Sequence, residues 1–68
     1  MKSISGKELI AVLKRNGWTV LRSKGSHFSL KKSGSKNILT VPVHGNEALR
    51  PGTLKKLFRL AGLTSDDL

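Results

Sequence analysis

Two histidines, His27 and His44, are the only imidazoles in this chain, and it has no cysteine. His27 lies in the stretch Lys24-Gly25-Ser26-His27-Phe28-Ser29-Leu30, flanked by Arg22, Lys31 and Lys32. An imidazole in basic surroundings suits chemistry on a phosphate. Cleaving RNA without a metal requires a base for the 2′-hydroxyl proton, cations for the extra charge on the phosphorane, and an acid for the departing 5′-oxygen. Histidine serves as either base or acid, because its unperturbed pKa is about 6.5. Lys24 and Lys31, with Arg22 beside them, suit the charge-stabilising and phosphate-binding role. Ser26 is placed to hold a phosphate oxygen or to orient the ring. His27 is therefore the catalytic candidate, and no second acid or base follows closely in sequence.

Other chemistries fit less well. Without cysteine there is no thiolate nucleophile, no disulfide framework and no cysteine-ligated zinc. The two histidines fall in different segments, and Glu47 is the only carboxylate near either, so neither a metal site nor a cofactor is expected. A Ser-His-Asp hydrolase is disfavoured because the only aspartates, Asp66 and Asp67, lie in the C-terminal tail. His44, between Pro42 and Gly45, reads as a loop residue and at most an accessory to the site.

The elements that must position these groups belong to a short chain. Its 68 residues make one domain over 1–68. A chain of this size buries only about 60% of its unfolded surface, so function should lie on the surface and use few residues. Lys and Arg number 13 against 4 acids, for a net charge of +9. Such a balance points to a polyanionic partner. With no apolar signal core and no run of membrane-spanning length, the expectation is a cytoplasmic protein without membrane contact.

Ser5-Gly6-Lys7-Glu8 has the S-x-x-E form of a capping box, and Ile4 before it can staple onto Leu9. Leu9, Val12 and Leu13 recur at helical spacing, and Asn16-Gly17 stops the run. A helix is expected over 5–16. Trp18-Thr19-Val20-Leu21-Arg22 reads as a strand with apolar groups on both faces, which leaves its buried side open. Ser23-Lys24-Gly25-Ser26 reads as a turn. Residues 27–31 alternate, with Phe28 and Leu30 on one face and His27, Ser29 and Lys31 on the other. Residues 32–37 form a second turn and 38–41 a third strand, which frays at Pro42 or lies at a sheet edge. Residues 43–50 connect to a second helix, opened by Pro51 and closed by Gly62, with Leu54, Leu57, Phe58 and Ala61 as its apolar stripe. The short connections predict an antiparallel three-stranded meander with both helices on one face, an α+β fold of order α-β-β-β-α. His27 then faces out on the open side.

Gly17-Trp18, Lys24-Gly25-Ser26-His27, Val41-Pro42-Val43-His44-Gly45-Asn46, Pro51-Gly52-Thr53-Leu54 and Ala61-Gly62-Leu63 together resemble the HicA toxins of HicA–HicB toxin–antitoxin pairs. The joint spacing of these motifs covers nearly the whole chain. The resemblance implies a double-stranded-RNA-binding-domain-like fold and an mRNA interferase that cuts free or translated RNA, arrests growth, and is silenced by a HicB-type antitoxin. It also implies that the histidine of the G-S-H motif, His27, is catalytic. Position 28 is often polar or histidine in that family, whereas Phe28 stands here. The second motif histidine corresponds to His44. Fold and charge alone would equally serve a non-catalytic RNA-binding module; new 5′-hydroxyl ends on an incubated RNA separate the two.

Overall fold

A computed structural model describes residues 3–67. Helix α1 (Gly6–Arg15) leads into β1 (Trp18–Lys24), β2 (His27–Lys32) and β3 (Leu39–Pro42), and helix α2 (Pro51–Ala61) is followed by a 3-10 turn at Ser65–Asp67. The strands form one antiparallel sheet of order β1-β2-β3. This is the expected α-β-β-β-α arrangement.

The helices begin and end where local chemistry dictates. At α1 the Glu8 amide donates to Ser5 Oγ (3.2 Å) and the Ser5 amide donates to Glu8 Oε1 (3.0 Å), completing the capping box. Gly17, at φ +94°, takes the left-handed conformation that ends the helix. Helix α2 starts with Pro51 in its first turn and stops at Gly62 in the left-handed region.

One face of the sheet carries Leu30, Leu39 and Val41, none of them exposed. They share a single core with Leu9 and Leu13 of α1 and Leu54, Leu57 and Phe58 of α2, with Phe28 packed against it. Both helices therefore cover the same face. Trp18 is 2% exposed and belongs to this core, which settles the side of β1 that its sequence left open.

Three boundaries differ from the sequence expectation. Strand β1 runs on to Lys24, so Ser23 and Lys24 are strand residues and only Gly25-Ser26 turns. Lys32 ends β2, and Ile38 stands outside β3 and exposed. The connection over 43–50 is tied down more than its weak local signals suggest. The Val43 amide donates to the Ser26 carbonyl (2.7 Å), the Leu49 amide to the Ile4 carbonyl (2.8 Å), and Ala48 pairs with Ser5. Each of these bonds joins segments distant in sequence, which local patterning does not register.

Candidate functional site

The site is built on the β1–β2 hairpin. Lys24 pairs with His27 as its closing pair, followed by Ser23 with Phe28 and Arg22 with Ser29. Directly opposed residues of an antiparallel pair project to the same face. Phe28 faces the helices, so Lys24, His27, Arg22 and Ser29 share the open face.

An irregularity in β1 makes this possible. Val20 pairs with Leu30 and Arg22 with Ser29, so Leu21 has no partner of its own and forms a β-bulge. Strict alternation from the buried Trp18 would send Val20, Arg22 and Lys24 toward the helices. The extra residue reverses the parity, and Arg22 and Lys24 emerge on the same side as His27.

The turn is two residues long, with Gly25 at φ +58°. A tight turn of this kind favours glycine, because a Cβ crowds the backbone at positive φ. On the other side of β2, Pro42 of β3 stands opposite His27 and Thr40 opposite Ser29. Pro42 ends an edge strand, where its missing N–H breaks no interior ladder.

Arg22, Lys24, Gly25, Ser26, His27 and Ser29 line one shallow depression. Arg22, Lys24 and His27 are exposed and Ser26 and Ser29 half-buried. Lys31 lies on the same face, paired with Thr19, two alternations along β2 and about 14 Å from His27 at ~3.4 Å per residue. It flanks the site from a distance. Among the sequence candidates, then, Arg22, Lys24, Ser26 and His27 come together and Lys31 stands apart. Ser29, placed on this face by its alternation, joins the same depression through its pairing with Arg22.

His44 is exposed and lines a different depression, with Pro42, Glu47, Arg50 and Thr53 among its walls. The Val43–Ser26 hydrogen bond brings the His44 segment alongside the hairpin turn. Among the described residues no three His, Asp or Glu side chains gather as they would to hold a metal ion, and no helix is long and apolar enough to cross a membrane.

The arrangement offers one proton-transfer group and two cations on an open, basic face. No curated protein matches the chain. Residues 6–63, however, match the family model described as the HicA toxin of bacterial toxin–antitoxin systems, spanning both helices and all three strands that carry the His27 face. The chain belongs to the HicA toxin family.

Proposed function

We propose that this toxin is a metal-independent endoribonuclease, an mRNA interferase, in which His27 is the general acid or base. The observation that carries the reading is the Lys24–His27 closing pair on the open face, with Arg22 beside it. In the forward step the imidazole takes the proton of a ribose 2′-hydroxyl. The 2′-oxygen then bonds to phosphorus, the bond from phosphorus to the 5′-oxygen breaks, and that oxygen takes a proton from solvent or from the Lys24 ammonium. The products are a 2′,3′-cyclic phosphate and a 5′-hydroxyl. Lys24 stabilises the charge on the phosphorane, Arg22 holds the RNA strand beside it, and Ser26 positions an oxygen of the phosphate.

A basic exposed face also suits control by a HicB-type antitoxin. An acidic or hydrogen-bonding protein surface would suit the +9 charge, its carboxylates neutralising the cations while its bulk excludes RNA from His27.

The test is His27→Ala on a long single-stranded RNA. The variant should fold and bind RNA as the parent does, yet lose about 10²–10⁴-fold in cleavage, the usual contribution of a positioned acid or base. Undiminished formation of 5′-hydroxyl ends would remove His27 from the mechanism. If the parent itself bound RNA and made no new ends, the chain would be a binding module.

A further inference from the structure

Attack by a 2′-oxygen calls for two proton transfers on opposite sides of phosphorus, because the entering and departing oxygens lie in line. The hairpin supplies one imidazole for them, His27. The chain has one other, His44.

Backbone pairing brings the second imidazole close to the first. His27 stands opposite Pro42, and the Val43 amide donates to the Ser26 carbonyl (2.7 Å), which carries the β2–β3 pairing one step past the end of β3. A hydrogen-bonded Ser26–Val43 pair makes His27–Pro42 the neighbouring non-hydrogen-bonded pair, the kind with the closest side chains and Cα atoms about 4.5 Å apart. At that position the missing proline N–H costs the ladder nothing. His44 is two residues beyond Pro42. It is therefore the diagonal neighbour of His27, at a backbone separation of about 7–8 Å.

The two rings also share a side. Val43 packs against the core, whereas Pro42 and His44 line one depression together, with Glu47, Arg50 and Thr53. His44 thus emerges on the side of Pro42, which is the side of His27, and it is exposed there. Pro42 lies between the two imidazoles as a short apolar floor.

We propose that His44 is the second proton-transfer residue of the same reaction, the acid that protonates the departing 5′-oxygen. The assignment rests on the endoribonuclease reading above and completes it. His27 takes the 2′-hydroxyl proton and the 2′-oxygen bonds to phosphorus. The bond from phosphorus to the 5′-oxygen breaks as the His44 imidazolium passes its proton to that oxygen. His27 ends protonated and His44 neutral, and exchange with water restores both. The spacing suits one phosphate, since each ring must come within about 2.6–3.2 Å of its own oxygen on either side of a single phosphorus. An imidazolium gives up a proton more readily than an ammonium. Lys24, which pairs with His27 from the β1 side, is then left to stabilise charge.

The test replaces the departing oxygen by sulfur. Two oligoribonucleotides carry either the natural linkage or a 5′-thio linkage at the bond the parent cuts. A thiolate leaves without being protonated, because thiols are far stronger acids than alcohols. Single-turnover cleavage above the enzyme-free rate is measured for the parent, His44→Ala and His27→Ala, each shown to be folded by its amide NMR spectrum. On the natural linkage His44→Ala should lose about 10²–10⁴-fold, and on the thio linkage less than about tenfold. His27→Ala should lose on both, because the 2′-hydroxyl is the same in each. A structural or RNA-binding role for His44 predicts equal losses on the two linkages. That result, or no loss on either, overturns the assignment and leaves His27 in place. A His44→Ala loss relieved by sulfur beside a fully active His27→Ala would keep His44 as the acid and remove His27 as the base. A parent that cuts no RNA overturns both.

Discussion

Lys24 and His27 face each other as the last pair of the β1–β2 ladder, with only Gly25-Ser26 between them in the chain. Their side chains share the open face because each is tied to a backbone whose register the hairpin sets. A cation and an imidazole on either side of a two-residue turn thereby become neighbours in space, and the same register brings Arg22 alongside.

In the proposed mechanism Lys24 bears on the reacting phosphate and Arg22 on the strand around it. A charge-assisted hydrogen bond is worth about 1.5–3 kcal/mol, so Lys24→Ala should slow single-turnover cleavage by one to two orders of magnitude. Arg22→Ala should instead weaken RNA binding. With a single-stranded RNA, the slope of log affinity against log salt should become shallower by about 0.7, the share of one neutralised phosphate. A slope that stays unchanged would remove Arg22 from the RNA interface.

Gly25→Ala tests the turn. At φ +58° a Cβ costs about 1–2 kcal/mol. Urea denaturation should report a loss of that size. Cleavage at a temperature where the variant is fully folded should fall as well, because the turn holds the Lys24–His27 pair. Reduced stability with full activity would separate the turn from the site.

The first turns of the two helices predict opposite signs for the same substitution. A Cβ at Gly6 would collide with the backbone carbonyl of Pro42, which rigidly ends β3. Gly6→Ala should therefore destabilise by about 1–3 kcal/mol, as overpacking does. Gly52, in the first turn of α2, has open space around it and no positive φ. Gly52→Ala should be stabilising by about 0.4–1 kcal/mol, by restricting the unfolded chain. Thermal melts of the two variants check both signs.

Chemistry that rests on His27 and cations requires no metal. Cleavage should persist in the presence of a strong chelator. Loss under chelation, restored by a divalent ion, would contradict the metal-free mechanism.

The two helices, the order of elements and the outward face of β2 are determined by the sequence alone, because their signals are local. Ser5 and Glu8 cap within one turn, Leu54, Leu57 and Phe58 repeat at helical spacing, and Phe28 and Leu30 alternate with His27 and Ser29. That alternation is enough to place His27 outside the core. The company His27 keeps was decided by tertiary structure. Arg22 and Lys24 reach its face only because Leu21 bulges, and a bulge is a property of the pairing between strands rather than of either strand. The same holds for residues 43–50, whose bonds run to Ile4, Ser5 and Ser26, and for Trp18, whose burial depends on which side the helices pack. Local sequence specifies periodicity and caps through neighbouring residues. Register and parity are chosen globally, by the arrangement that buries the apolar face while leaving the cations in water.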